Sequence, residues 1–446
     1  MTTAVLMIMV GLSGLTGATG IGRKDPQGIH MAFGNTATSY IVVWLTLDEM
    51  PSSVIQFGSS AGNLTQSASG SSRTYDHVGA GYNHVVEFDV DGVVGPGETL
   101  FYTVGSPGNK VSEVLSMVVT RGESADKPWG FAAFGDLGLK NGRMTMGRLN
   151  QHASEWDLIV HAGDISYAND EPWTYETVWQ EWFLDLQDTT VGTPYMVAPG
   201  NHEAWCRNPI CAVQTANFST YLYKYEMPSA ACGSNTNMFY SFDHKNVHFV
   251  AISTETDYPG RPIDLMEYAA GAYDEHDHFF QLNWLKEDLA KAHANRDNVP
   301  WIVVFGHRPV YTSGSSDVAG NDTVVNTAEK LREWLEPMFD AFQVDLYFSG
   351  HQHDYHRMYP VLDEKLVGGK SYDPAMATTY VVSGAAGNAE GHDHPDPPAI
   401  WQAVDNYADY GYSTIQIVNA SVAVVEFRLS QDDTVFDSFT LVRPRS

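Results

Sequence analysis

Five glycine-terminated segments carry the residues that could do chemistry in this chain. In each, a short apolar run typical of a buried strand stops at a glycine, and a side chain able to bind metal follows. The residues that follow are Asp136, then Asp164 and Tyr167, then Asn201 and His202, then His307, and finally His351 and His353. In open α/β sheets, the loops beyond the carboxyl ends of the strands form a common crevice. One such turn is commonplace, but five in one region predict a convergent metal site.

The segment Gly163–Tyr167 indicates which kind of metal the site would hold. The Asp164 carboxylate has two oxygens, enough to bind two ions at once. Tyr167 follows three residues later, and a phenol with a pKa of about 10 is a poor ligand for most cations. It becomes a good ligand beside a strongly Lewis-acidic ion, and ferric iron is the natural candidate. The stretch therefore predicts ferric iron beside a second ion.

Length and charge bound the class of protein. The chain has 446 residues, of which 43% are hydrophobic, so two or three units with sizeable cores are expected. Its 25 basic and 54 acidic residues give a formal net charge of −29. Such a polyanion is not expected to bind nucleic acid or acidic membranes through its general surface. An anionic substrate would need local positive charge, which bound metal can supply.

The first 20 residues resemble a secretory signal peptide. An apolar run, Ala4–Val10, leads through small residues to Gly20, although no basic residue precedes it. The alternative is a first buried strand. No other stretch approaches the roughly 18 apolar residues of a membrane span. A signal peptide at 1–20 predicts a secreted or extracellular protein, with a vacuole or lysosome as the other destination.

Cysteines and glycosylation triplets bear on the same question. Cys206, Cys211 and Cys232 do not have zinc-finger spacing, and two of them could pair in an oxidising compartment and leave one free. Four N-x-S/T triplets, the acceptor sites of a glycoprotein, begin at Asn63, Asn217, Asn321 and Asn419. Because such triplets also arise by chance, they support secretion only weakly.

The pattern of predicted secondary structure changes near residues 121–128. Before this polar linker, residues 26–120 contain strand patterns separated by Gly- and Ser-rich turns, which predicts an all-β module of sandwich type. After it, strand-like runs alternate with helical patterns at 279–294 and 326–342, which predicts an α/β domain. All five glycine-terminated segments lie in this second part.

The set GDLG, GDISY, GNHE, GHRP and GHQH resembles the five-block signature of the purple acid phosphatases, within the metallophosphoesterase superfamily. The amino-terminal module resembles the fibronectin-III-like domain of the long members, and residues 376–446 resemble the family's carboxyl-terminal segment. The likeness implies an α+β two-domain protein. A β-sandwich at 26–120 would precede an α/β metallophosphoesterase sandwich domain with mixed sheets at 128–446. The GHRP block followed by GHQHDYHR is most similar to the branch that includes animal members.

The resemblance also implies roles for the residues of the five blocks that match the family's motifs. Asp136, Tyr167 and His353 would hold Fe³⁺, Asp164 would bridge, and Asn201, His307 and His351 would hold a divalent ion, Fe²⁺, Zn²⁺ or Mn²⁺. The implied reaction is hydrolysis of small-molecule or protein phosphate monoesters by attack of a metal-bound hydroxide. His202 would be catalytic, contacting the phosphate or protonating the leaving oxygen. The alternative for His202 is a supporting residue that orients Asn201.

The chain differs from some plant members, which have further phosphate-contacting histidines about ten residues after the fourth block. Here that stretch, 312–317, contains no histidine, and Arg308 and His356 are the candidates to compensate. One alternative function is a nucleotide phosphodiesterase or pyrophosphatase, although many phosphodiesterases have Asp-x-His in the first block, and this chain has Asp136-Leu137-Gly138. The other is a non-catalytic binding protein, which the intact ligand set disfavours. The pair His392 and His394 is expected to lie in an exposed loop rather than to bind metal.

Overall fold

The protein was analysed as a computed structural model, which describes residues 22–204, 215, 217–258, 280–312, 324–393 and 398–444. The predicted signal peptide, Cys206, Cys211, Asn321 and His394 lie outside these residues. Cys232 has no disulfide partner within them. No helix in the described part of the chain is both long and apolar enough to cross a membrane.

The amino-terminal part is built from nine strands in two sheets. The strands are β1 (Gln27–Phe33), β2 (Ser39–Thr46), β3 (Val54–Gly58), β4 (Gln66–Ser69), β5 (Ser71–Arg73), β6 (Tyr82–Asp89), β7 (Thr99–Ser106), β8 (Lys110–Val111) and β9 (Leu115–Val118). One sheet has the order β1-β2-β6-β5, and the other has the order β4-β3-β7-β8 with β9 paired to β7. Buried side chains of both sheets, such as Val42 and Tyr102, belong to one hydrophobic cluster. The two sheets therefore form the predicted sandwich.

The second part contains two larger sheets, each with parallel and antiparallel strand pairs. Its strands are β10 (Trp129–Phe134), β11 (Leu158–Ala162), β12 (Tyr195–Ala198), β13 (Tyr240–His244), β14 (Val247–Ala251), β15 (Trp301–Phe305), β16 (Leu346–Ser349), β17 (Tyr355–Met358), β18 (Val361–Leu362), β19 (Lys365–Leu366), β20 (Thr379–Ser383), β21 (Gln402–Asn406), β22 (Gly411–Ile417), β23 (Val422–Leu429) and β24 (Val435–Val442). One sheet has the order β12-β11-β10-β22-β23-β24, and the other β13-β14-β15-β16-β20-β17-β21. The predicted fold class, a β-sandwich followed by an α/β domain with mixed sheets, is confirmed. The boundaries at 26–120 and 128–446 stay predictions.

Helices cover the sheets of this second part. They are α1 (Arg143–Gln151), α2 (Tyr175–Asp185), α3 (Gln187–Thr190), α4 (Ser219–Lys224), α5 (Ser229–Cys232), α6 (Phe280–Ala294) and α7 (Val324–Ala341), with 3-10 turns at Ala153–Glu155, Ala168–Asp170 and Asn201–Glu203. Helix α7 overlaps the predicted helical pattern at 326–342, and its Leu331 and Leu335, four residues apart, are buried in the cluster that also contains Leu285 of α6. Helical periodicity was therefore a sound guide to the packed face.

Parallel pairing brings the glycine turns to one edge of each sheet. In the first sheet β10, β11 and β12 are parallel, and Phe134, His161 and Val197 are in register. In the second, β14, β15 and β16 are parallel. The turns of the two sheets approach closely, since a Cβ on Gly135 would lie 3.0 Å from the Cα of Gly350. Glycine at these strand ends thus lets the two sets of loops share one crevice.

The sandwich contacts the second part through a buried polar cluster on α2. The Glu176 carboxylate accepts a hydrogen bond from Lys224 Nζ at 3.0 Å, contacts the Tyr75 hydroxyl, and lies 3.3 Å from His77 Nδ1. Glu176, Lys224 and Tyr75 are all buried. Because the Glu176 carboxylate is paired with the Lys224 ammonium, the free-energy cost of burying these two charges is reduced. The helix that follows the Gly163–Tyr167 turn is therefore braced by the amino-terminal domain.

Candidate metal centre

The structure brings the predicted ligand residues together in two groups, with Asp164 between them. Asp136 and Asp164 are buried, and their charges act on each other. The backbone amide of His351 donates to Asp136 Oδ2 at 2.7 Å, which ties the last glycine turn to the first. The first and last glycine turns, which follow strands of different sheets, are thus in direct contact.

The first group consists of Asp136, Tyr167 and His353. The Tyr167 hydroxyl donates to Asp136 Oδ1 at 3.1 Å and lies 3.0 Å from His353 Nε2. The third distance within this group, from His353 Nε2 to Asp136 Oδ1, is 3.5 Å. Phenol, carboxylate and imidazole thus point at a common centre.

The second group consists of Asn201, His307 and His351. His307 Nε2 lies 3.1 Å from Asn201 Oδ1 and 3.1 Å from His351 Nδ1. The same nitrogen is 3.2 Å from Asp164 Oδ2, so the carboxylate lies against this group as well. Asp164, His307 and His351 also offer ligand atoms within 4.8 Å of one another.

These separations fit donors around metal ions. For metal–ligand bonds of about 2.0–2.2 Å, neighbouring donors on a tetrahedral or octahedral ion lie about 3.0–3.5 Å apart. The donor-to-donor distances within the two groups, 3.0 to 3.5 Å, fall in that range. A mixed oxygen and imidazole donor set suits Fe, Zn and Mn. The residues present therefore fit a two-ion centre.

The electrostatics of the crevice also favour cations. Burial raises the pKa of the Asp136 carboxyl. Burial and the charges of Asp136 and Asp164 hold the pKa of the Tyr167 phenol well above its ordinary value. Burial alone would lower the pKa of His307, but the Asp164 and Asp136 carboxylates raise it to about 10. A site crowded with buried acids of this kind is compensated by positive charge.

Outer contacts hold the ligands in place. His307 Nδ1 lies 3.0 Å from the carbonyl oxygen of Ala162, which fixes the ring so that Nε2 faces the centre. Glu203 was quoted within the GNHE block but given no role from sequence. Its buried carboxylate accepts the backbone N–H groups of Asp164, Ile165 and Gly200, each at 2.9 Å. Glu203 thus clamps two of the glycine turns together, and only its place three residues after Gly200 hinted at this.

His202 lies at the side of the first group. Its backbone amide donates to Asp164 Oδ1 at 2.8 Å, and its Nδ1 lies 2.8 Å from Asn169 Oδ1. The ring packs at a 45° tilt against Tyr167, with 4.1 Å between the ring centroids. Its Nε2 lies 3.8 Å from Asp164 Oδ2 and 3.7 Å from Glu390 Oε2. Asn169 holds the rear nitrogen, so Nε2 is the atom presented to the crevice.

The Asn201 side chain contacts His307 and Arg308. Its Oδ1 is 3.1 Å from His307 Nε2 and accepts from Arg308 Nη2 at 3.5 Å. These contacts hold the Asn201 amide oxygen within the second group.

Two further histidines lie away from the crevice or at its rim. His356 is fully buried on β17, with Nε2 2.9 Å from Asp354 Oδ2, so it does not face a substrate. His392 Nδ1 lies 3.2 Å from the His353 carbonyl oxygen, and its ring packs on Tyr410 at 4.5 Å. His392 therefore contacts the backbone of a predicted ligand residue from a half-buried loop.

Three protein-family profiles together match nearly the whole chain. The profile of the calcineurin-like phosphoesterases matches residues 131–355, that of the purple acid phosphatase N-terminal domain matches 26–119, and that of the iron/zinc purple acid phosphatase-like protein C matches 377–438.

Individual relatives are also similar to this chain over most of its length. Acid phosphatase type 7 of Danio rerio is 30% identical, over 94% of this chain and 92% of its own. Purple acid phosphatase 18 of Arabidopsis thaliana is 28% identical, over 92% of this chain and 82% of its own. The structure of a purple acid phosphatase from yellow lupin (Lupinus luteus) seeds has the same fold, with a TM-score of 0.75 at 20% identity, over 94% of this chain and 75% of that one. The chain therefore belongs to the purple acid phosphatases, a branch of the calcineurin-like phosphoesterases.

Proposed function

We propose that this chain is an acid phosphatase that hydrolyses phosphate monoesters at a dinuclear metal centre. The observation that carries the proposal is the pair of donor groups on either side of Asp164, in a chain that belongs to this family. A metal-activated phosphatase needs water activation and charge neutralisation at one phosphoryl group, and two adjacent cation sites can serve both.

Each donor group is assigned to one ion. Asp136, Tyr167 and His353 would hold Fe³⁺, because a phenol whose pKa is raised by burial binds only a strong Lewis acid. Asn201, His307 and His351 would hold a divalent ion, Fe²⁺, Zn²⁺ or Mn²⁺. When bound, the two ions supply Lewis acidity that activates water and neutralises phosphoryl oxygens.

His202 is assigned the proton transfer to the leaving oxygen. Its Nδ1 is held by Asn169 at 2.8 Å, so the ring cannot turn freely and Nε2 stays directed into the crevice. The Tyr167 ring, tilted by 45° against it with 4.1 Å between centroids, limits its rotation next to the first donor group. When protonated, an imidazolium held in this way can donate its Nε2 proton to the leaving oxygen as the ester bond breaks, and the neutral ring keeps its other proton on Nδ1, bonded to Asn169.

Substrate class is tested by matched esters. The metal-loaded chain is expected to hydrolyse an aryl phosphate monoester faster than the diester of the same phenol. A diester rate equal to or above the monoester rate would assign the chain to phosphodiester or pyrophosphate chemistry instead. Failure to hydrolyse either ester with both ions bound would leave only a binding role.

A Tyr167→Phe variant tests the iron assignment. A ferric ion bound by the phenolate gives a visible charge-transfer band, so the wild-type protein is expected to be coloured and the variant colourless. Tyr240→Phe is the matched control, because Tyr240 is also fully buried but donates to the Val197 carbonyl at 2.8 Å. The control is expected to keep the colour, and a band that survives in Tyr167→Phe would remove Tyr167 from the ligand set.

Location and domain boundaries are part of the proposal. A secreted or extracellular glycoprotein fits the signal-like residues 1–20 and the exposed Asn63 and Asn419. Asn217 is buried in the structure, which makes it a poorer glycosylation acceptor. The proposed substrates are small-molecule or protein phosphate monoesters, and nucleic acid is not among them. Sequencing the amino terminus of the secreted protein tests the cleavage near residue 20.

A further inference from the structure

Arg308 places a buried guanidinium against the second donor group. Its side chain is 9% exposed, and the residue directly follows His307 in the fourth glycine turn. Nη1 lies 2.8 Å from His351 Nε2, and Nη2 lies 3.5 Å from Asn201 Oδ1. Two of the three side chains in this group are thus contacted by one positive charge.

The guanidinium is held from behind. Nε donates to Glu255 Oε1 at 2.8 Å, and Glu255 is fully buried. The Arg308 backbone N–H donates to Thr254 Oγ1 at 2.8 Å, and its carbonyl accepts from the Tyr347 hydroxyl at 2.7 Å. Because Glu255 takes the Nε edge, both terminal nitrogens remain directed toward the crevice.

The contact with His351 depends on where the imidazole proton lies. A guanidinium only donates hydrogen bonds, so His351 Nε2 accepts here and the ring proton belongs on Nδ1. Nδ1 is also the atom that faces His307 Nε2 at 3.1 Å and is the donor suited to a metal ion. If Nδ1 held a metal ion, a neutral ring would carry its proton on Nε2 and would not accept from Arg308.

We infer that Arg308 binds a phosphoryl oxygen of the substrate, with Glu255 as the residue that positions it. Resting on the proposed function, this inference names a substrate-binding residue that the two donor groups do not include. With a metal ion held at His351 Nδ1, Arg308 Nη1 would lose this acceptor, and a phosphate oxygen beside Asn201 would supply a better one. A planar guanidinium matches the spacing of two phosphoryl oxygens and forms charge-assisted hydrogen bonds with them.

The test measures binding of inorganic phosphate to the metal-loaded full chain by titration calorimetry, with metal content determined on the same samples. Arg308→Gln is expected to retain both ions and to raise the Kd for phosphate about 10- to 100-fold, the value of a lost hydrogen bond between charged groups. The control is Arg357→Gln. Arg357 is another buried arginine, bonded to Asp437 at 2.7 and 2.9 Å, and its loss is expected to leave the Kd unchanged.

Other outcomes are equally decisive. A phosphate Kd within twofold of wild type, with both ions present, would overturn the inference. Loss of one ion from Arg308→Gln would overturn it too, because Arg308 would then only support His351. If Arg308→Gln does not fold, Arg308→Lys takes its place, because lysine keeps the positive charge but lacks the two terminal guanidinium nitrogens. An unchanged Kd for phosphate in that variant would contradict the inference. Wild-type protein that holds both ions but neither binds phosphate nor hydrolyses esters would instead refute the proposed function.

Discussion

An Asp164→Asn variant is expected to lose at least about 10³-fold in kcat/KM on a phosphate monoester. The Asp164 carboxylate lies with Oδ2 3.2 Å from His307 Nε2 of the second group, and its charge also acts on Asp136 of the first. An amide has one neutral oxygen in place of two charged ones, so it cannot bridge two cations. We expect metal content to fall below two ions per chain, measured by elemental analysis of the purified variant.

The control for this variant is Asp288→Asn. Asp288 is also buried, on α6, where it accepts from Ser241 Oγ at 2.7 Å and contacts His248 at 2.9 Å, so its loss tests general destabilisation. It is expected to retain both ions and near wild-type turnover. An Asp164→Asn protein with two ions and unchanged kcat/KM would contradict a bridged centre.

A His202→Gln variant is expected to lose about 10²- to 10⁴-fold in kcat, the usual contribution of general acid–base catalysis. The loss should depend on the leaving group. An alkyl phosphate, whose alkoxide needs a proton, should suffer more than an aryl phosphate with an acidic phenol. Both ions should stay bound, because His202 belongs to neither donor group. Steady-state kinetics on the two esters, with metal analysis, provides the measurement.

His84→Gln is the matched histidine control, since His84 is fully buried in the sandwich, 2.9 Å from Thr46 Oγ1 and 2.7 Å from Ser53 Oγ. It is expected to leave both rates unchanged. An equal loss on the alkyl and aryl esters in His202→Gln would argue against proton donation. Loss of an ion would make His202 a supporting residue, the alternative raised from the sequence.

Strand-end glycines indicated which residues would lie together. Gly135, Gly163 and Gly350 each end an apolar run. Because the strands before them pair in parallel with a neighbouring strand, the residues after these glycines lie at the carboxyl edge of their sheet. The resemblance to a family added which followers belong to which ion. Both kinds of inference used short local patterns, and the structure places those residues in contact.

Backbone conformation was beyond such patterns. Asp136, Asp164, Tyr167 and His351 have φ values of 60°, 50°, 55° and 68°, a region that non-glycine residues rarely adopt. Nothing in a sequence of Asp, Tyr and His signals this, because the surrounding turns impose it. Strain of this kind is concentrated at functional sites, where tightly packed neighbours can hold it.

Long-range partners were also invisible. Glu203 clamps the turn at 163–165, and Glu255 anchors Arg308 across 53 residues. Glu255 follows no strand-end glycine, and the place of Glu203 three residues after Gly200 does not show that its carboxylate also binds the turn at 163–165. Such contacts depend on how the two sheets face each other, which the order of strands along the chain does not specify.

Anomalous diffraction from crystals of the metal-loaded chain tests the central claim most directly. Two peaks are expected, one bounded by Asp136, Tyr167 and His353 and showing an iron edge, the other bounded by Asn201, His307 and His351. Asp164 should lie between them. A single peak, or two peaks outside these residues, would contradict the two-ion centre.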